Sequence, residues 1–234
     1  MVCFAIYGSF TNEAAISGTT YRTSGLPPGV KLYHHTRAQD GTLPFASGDI
    51  VKLVGQKNPQ VLALMEQAPE CLVLQGEVVD PANLNYLRDC IGVAAFSADQ
   101  GGVVVADVQQ FKFMTAAEWR RDFFEPGSPQ VMRQVTILYS AEETGGGAWL
   151  HTRGLRKFGR PDLSLRHVPE RYREAAIELC NRFIELQALG GRIPEGQAIK
   201  MKSLPDGLVC HQGGSVEDPD FNNVRVEIQF PAQP

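Results

Sequence analysis

The chain opens on an unbroken apolar run, Val2-Cys3-Phe4-Ala5-Ile6-Tyr7, of a length that predicts a buried β-strand. Residues 9–28 are rich in Ser, Thr and Gly and read as a long surface loop. Residues 50–54 (Ile-Val-Lys-Leu-Val) read as a strand. Asn58-Pro59 is a cap followed by proline at the first helical position, and Val61, Leu62, Leu64 and Met65 supply that helix's apolar face. Cys71 to Leu74 read as a buried strand, with Glu77, Val78 and Val79 as an extension. Asp80-Pro81 repeats the cap-plus-proline start; Leu84, Leu87 and Ile91 follow at helical spacing, and Gly92 closes the helix. Residues 93–96 and 103–106 flank a Gln-Gly-Gly turn and read as a β-hairpin. Thr115 with Glu118 three residues on is a capping box that starts a short helix carrying Trp119 and Phe123.

Glu125-Pro126-Gly127-Ser128-Pro129 is the clearest break in the pattern and divides the chain into lobes at 1–125 and 126–234. Beyond it, residues 131–139, 148–152 and 163–168 read as strands, with a glycine turn at 144–147. The best helix runs from Pro169 to Leu189, with Tyr172, Ala176, Leu179, Phe183 and Leu186 along one stripe. Residues 198–201, 208–211 and 224–230 close the chain as strands, the last with Val224, Val226, Ile228 and Phe230 on one face. The expected class is α+β: mainly antiparallel sheets with a few packed helices, in two lobes.

Composition narrows the function classes. With 43% apolar and 21% charged residues, the chain matches neither a disordered nor a disulfide-scaffold composition. It lacks eighteen consecutive apolar residues, so no membrane span is expected, and its start reads as a strand rather than a secretory signal. Cys3, Cys71, Cys90, Cys180 and Cys210 are odd in number and lack CxxC spacing. They read as reduced, buried thiols of a cytoplasmic protein. The net charge of −4 argues against general nucleic-acid binding.

Catalytic signatures are missing from the sequence: there is no GxGxxG, P-loop or GxSxG string. The nearest to the last, Gln212-Gly213-Gly214-Ser215-Val216, reads as a turn. His34, His35, His151, His167 and His211 form no HxH, HxxxH or HExxH pair, so no metal, no cofactor and no catalytic residue is expected. Cys210-His211 are neighbours on a strand and point to opposite faces, too far apart in direction to activate each other.

One stretch stands out, His151-Thr152-Arg153-Gly154-Leu155-Arg156-Lys157-Phe158-Gly159-Arg160-Pro161-Asp162-Leu163. Between Arg153 and Arg173 lie seven Lys/Arg and two acids, a local charge of about +5 in an acidic protein. Two readings remain open. Arg153, Arg156 and Arg160 form an anion clamp with His151 as acid/base. Alternatively, Arg160 or Arg153 pins the acidic turn Asp218-Pro219-Asp220-Phe221-Asn222-Asn223 against the loop from His151 to Asp162, and the Asp218, Asp220, Asn222 and Asn223 side chains stabilise that turn.

The HTRGLRKFGRPDL string, with DPDFNN before a final VRVEI strand, resembles a bacterial domain-of-unknown-function family over residues 130–230. Some of its members resemble immunity proteins found beside secretion-system (type VI) toxins. The resemblance implies a cytoplasmic, non-enzymatic protein that binds a cognate toxin directly; charge and hydropathy add the expectation of no direct nucleic-acid and no membrane partner. Acidity suits a basic toxin such as a nuclease. A motif shared among proteins with different partners is expected to be scaffold. The partner surface is then expected in residues 1–125, on polar loops carrying Tyr33, His34, His35 and Phe45.

Overall fold

A computed structural model describes the chain except for residues 12–14, 80–82, 143–146, 219–220 and 231–234. The fold is α+β, in two compact units, Met1–Arg133 and Gln134–Pro234. The Glu125–Pro129 break therefore lies inside the first unit. Asp80-Pro81, the Thr144, Gly145 and Gly146 turn, and Asp220 lie outside the described residues. Among the described residues no helix is long and apolar enough to cross a membrane.

The first unit is built on β1 (Val2–Gly8). Every residue of this strand is buried, as its continuous apolar run requires of a strand covered on both faces. After α1 (Gly18–Tyr21) come β2 (Val30–Thr36), α2 (Arg37–Asp40), α3 (Gly48–Lys57), α4 (Pro59–Gln67), β3 (Glu70–Gly76), α5 (Asn85–Asp99), β4 (Gly102–Asp107), β5 (Lys112–Thr115) and α6 (Ala116–Trp119). The strands form one antiparallel sheet in the order β2-β3-β1-β4-β5, with β2 and β5 at its edges. Cys3, Ala5, Tyr7, Cys71 and Val73 face a core closed by Val54 of α3 and by Val61 and Met65 of α4. The opposite face, with Phe4, Ile6 and Leu74, packs against α5.

Asn58 caps α4 by accepting from the Val61 N–H, with Pro59 at the first helical position. The capping box at α6 is complete, Thr115 and Glu118 each bonding the other's main chain. Four expectations are corrected. Residues 50–54 belong to α3, because Ile50, Leu53 and Val54 fit one helix face as well as they fit a strand. Gly92 does not end a helix: α5 runs through it to Asp99, so residues 93–96 are helix and no hairpin precedes β4. The 9–28 loop contains α1. Tyr33, His34 and His35 lie on the edge strand β2, not on a loop.

The second unit contains β6 (Thr136–Ala141), β7 (Ala148–Arg153), β8 (Asp162–Val168), α7 (Arg173–Ala188), β9 (Cys210–Ser215) and β10 (Asn223–Gln229). The sheet order is β6-β7-β8-β10-β9, antiparallel except for the β8–β10 pair. The 131–139 strand is shorter than expected, since Val131–Arg133 is a 3₁₀ turn. Residues 198–201 contribute only the bridge Ala198–Val209. The Gln212 to Ser215 string is strand β9, not a turn. Along α7 the buried positions are Ala176, Leu179, Cys180, Ile184, Gln187 and Ala188, while Leu186 is 46% exposed. The stripe is thus rotated from the expected one, toward a buried glutamine. All five cysteines are free and buried.

Candidate functional site

The motif folds as strand, 3₁₀ turn, strand. β7 delivers His151, Thr152 and Arg153; the turn Leu155–Phe158 follows; β8 begins at Asp162. Gly154 (φ +119°) and Gly159 (φ +66°) bracket the turn in left-handed conformations that a side chain would strain.

Asp162 is the hub. It is 1% exposed. Its Oδ1 accepts from the Thr152 hydroxyl (2.9 Å) and the Leu155 N–H (3.3 Å), and its Oδ2 accepts from Asn223 Nδ2 (2.7 Å). Thr152 Oγ1 in turn accepts from the Leu163 N–H (2.8 Å), and Asn223 Nδ2 also donates to the Arg160 carbonyl (3.0 Å). Burial raises the Asp162 carboxyl to about 6, against the pull of the Asn223, Thr152 and Leu155 donors.

The arginines do not converge on one point. Arg153 Nη1 donates to the Phe221 carbonyl (3.3 Å), and Arg156 Nη1 donates to the carbonyl (2.7 Å) and Oδ1 (2.9 Å) of Asn222. Arg160 turns away to the end of α7, where Nε donates to Gly191 O (3.1 Å) and Nη2 to Gly190 O (3.0 Å). A guanidinium there satisfies carbonyls just past the helix end and meets the negative end of its dipole. The buried Gln187 donates to the Pro161 carbonyl (3.3 Å), which fixes α7 against the same turn. Asp218 accepts from the Phe221 N–H (3.3 Å) and pairs with Arg225.

Arg156 and Asn222 provide a direct test of this contact. In a double-mutant cycle, Arg156→Ala and Asn222→Gly should couple by about 0.5–1 kcal/mol, the size of a partly exposed charge-assisted bond. Glycine keeps the left-handed backbone of Asn222 (φ +51°) unstrained. Strictly additive urea-unfolding free energies would show that the two side chains do not hold each other.

His151 is stacked, not poised. Its ring lies 3.9 Å from that of Trp149 and edge-on to Phe221 at 5.6 Å, with Nδ1 buried and without a hydrogen-bond partner. Arg166 covers Trp149 at 3.8 Å, and Trp149 Nε1 donates to Ser164 Oγ (3.0 Å). Burial, then Arg153 and Arg166, push the imidazole down to about 4, so it is neutral at pH 7. This counts against an acid/base role near neutrality.

The sign of the pH effect follows. A depressed histidine binds fewer protons folded than unfolded. Its contribution is intact above the ordinary 6.5 and is lost as pH falls through about 4, a swing of at most about 3 kcal/mol. Asp162, raised to about 6, acts oppositely, adding stability as pH falls from 6 towards 3.8. His151→Phe should therefore gain on the order of 2–3 kcal/mol relative to wild type between pH 7 and pH 4. A pH-independent difference in urea titrations would contradict the buried, neutral ring.

Of the residues expected at a partner surface, Tyr33 is 46% exposed and His34 is exposed, 3.6 Å from Glu70. His35 is half-buried beside Asp40 (3.4 Å). Phe45 packs partly buried against the α3–α4 core and is not an exposed anchor. Sequence reading missed Thr152, Gln187, and the pairing of Trp149 with the distant Phe221. Only the alternation that places Trp149 and His151 on one face of β7 hinted at the stack. Among the described residues no three His, Cys, Asp or Glu side chains are grouped to hold a metal. Comparison with protein-family models, curated proteins and solved structures finds no match to this chain.

Proposed function

We propose that the chain is a non-enzymatic cytoplasmic binding protein, an immunity protein that neutralises a cognate bacterial toxin by direct contact. One observation carries the reading. Arg153, Arg156, Arg160 and Asp162, the charged residues singled out in the motif, all bond the protein's own turns. A motif used in this way is scaffold, and scaffold shared among different proteins leaves partner choice to other surfaces. The resemblance of the motif to proteins encoded beside secretion-system toxins supplies the partner class, and the net charge of −4 suits a basic toxin such as a nuclease.

The test is co-expression with the product of the neighbouring gene. The expected result is a complex that co-elutes and a host that survives the toxin. The reading requires Arg153→Ala and Arg156→Ala to leave affinity within about threefold at temperatures where the variants stay folded. A host that dies despite soluble protein overturns it.

A second reading, a ligand-binding protein with an anion site, has one observation in its favour. Arg160 and Arg192 border a cavity of about 460 Å³ beside Pro161 and Ile193. Inorganic phosphate should then raise the melting temperature, and Arg192→Ala should remove the effect. Glu195 also lines the cavity and opposes an anion there.

A further inference from the structure

We infer that the edge strand β2 is the docking strand for the partner, and that it takes an extended partner segment with an apolar side chain next to an acidic one. The inference rests on the partner-binding reading above and specifies its surface. β2 is hydrogen-bonded on one side to β3, and among the described residues no strand pairs with its other side. The Val30 N–H already donates to the Pro27 carbonyl (3.0 Å) and the Thr36 N–H to Asp40 Oδ2 (3.1 Å), so the open part of the edge lies between them, around Leu32 and His34, where it offers main-chain donors and acceptors to an incoming strand.

The two faces of β2 differ in what they offer. Leu32, 39% exposed, lines an apolar pocket of about 300 Å³ with Phe10, Ile16, Leu26, Leu72 and Phe96. Its volume lies at the lower end of ligand-site volumes and admits a single large apolar side chain. Its neighbours Lys31 and Tyr33 point to the opposite face, and both are exposed. Among the described residues no acid forms an ion pair with Lys31, and β2 itself carries no acid.

Cross-strand geometry turns this into a partner pattern. A residue directly opposite Leu32 on an added strand shares its face and enters the pocket. The next residue, opposite Lys31, projects to the other face, where an unpaired ammonium favours a carboxylate. Main-chain pairing supplies affinity and the alternate side chains supply choice. An acidic residue at that one position is compatible with a toxin that is basic elsewhere.

The test does not need the partner's identity. A displayed library of random twelve-residue peptides is panned on the full chain, and the enriched peptides are measured by titration and amide exchange. The expected result is an apolar residue adjacent to Asp or Glu, slowed exchange in Val30–Thr36, and at least a tenfold weaker Kd for Leu32→Asp. Panning on Lys31→Glu should exchange the selected acid for Lys or Arg. Both substitutions are exposed on an edge strand, and melting curves check that the variants fold.

No enrichment, unchanged affinity for Leu32→Asp, or protection elsewhere overturns the inference. So does a dimer of the free chain that Leu32→Asp dissociates, since β2 would then pair with a second copy. Failure of the neighbouring-gene rescue with the β2 pattern intact would remove the toxin reading alone. A successful rescue unaffected by Leu32→Asp would remove the β2 assignment alone.

Discussion

Asp162→Ala should cost the second unit about 2–4 kcal/mol, a larger effect than any other motif substitution. The carboxylate gathers donors from three segments: the Thr152 hydroxyl on β7, the Leu155 N–H of the 3₁₀ turn, and Asn223 on β10. Alanine leaves these donors buried and short of an acceptor, at about 1–3 kcal/mol each. The site keeps two neighbouring bonds, Leu163 N–H to Thr152 Oγ1 and the second Asn223 N–H to the Arg160 carbonyl, so the segments stay in place and only one donor on each side chain loses its acceptor. Removing a buried carboxylate also relieves the cost of keeping it ionised, a gain of about 3 kcal/mol at pH 7 for a carboxyl raised from 3.8 to about 6, which offsets part of the loss without reversing the sign. Asp162→Asn should lose about 2 kcal/mol, because it keeps the Oδ1 acceptor but sets an amide against the Asn223 amide. Urea unfolding followed by amide exchange of β7, β8 and β10 reads the unit that carries the site, whereas tryptophan fluorescence mixes Trp149 with Trp119 of the first unit. An Ala loss under 1 kcal/mol, or an Asn variant less stable than Ala, would show that Asp162 is not the hub.

The parts legible in the sequence are those written in local chemistry. The Asn58-Pro59 start, the Thr115–Glu118 capping box and the alternation of β7 and β8 are each set by residues within a few positions of each other. Short apolar runs were not legible. Residues 50–54 and 93–96 fit strand and helix equally, and tertiary packing decides between them. The charge opposition of the motif and the later turn was visible, but the main partners of the arginines are backbone carbonyls, which leave no mark in sequence. Gln187 was hidden because a buried glutamine reads as a surface residue until its acceptor, Pro161 O, is known. The pocket beside Leu32 draws on residues from 10 to 96, and only the folded sheet brings them together.

Gly92→Ala separates two opposed effects at one position, and sterics should win by about 1–2 kcal/mol. In the middle of α5, alanine is favoured over glycine by about 1 kcal/mol from helix propensity alone. A Cβ at Gly92, however, would sit 2.2 Å from the Tyr21 carbonyl oxygen and 2.8 Å from Thr23 Cβ. Main chain and a stiff β-branched residue cannot swing aside as a long side chain would. The contact is also tied down: Thr23 Oγ1 donates to Asp89 O (3.2 Å) and the Ser24 N–H to Asp89 Oδ1 (3.3 Å), both holding the segment to α5. Relief therefore means breaking those bonds or shifting α5 within a fully packed face, and such overpacking costs about 1–3 kcal/mol or more. Gly55→Ala is the control, since its Cβ meets the far end of the Leu62 side chain, which can move, and it should lie between neutral and about 1 kcal/mol more stable from helix propensity. The same displacement reaches the pocket beside Leu32, because Gly25 and Leu26 follow directly and wall it. Gly92→Ala should then weaken selected β2 peptides several-fold while Gly55→Ala leaves them unchanged. A Gly92→Ala variant more stable than wild type would show that the 21–23 segment yields freely, and that helix propensity rather than close packing governs this position.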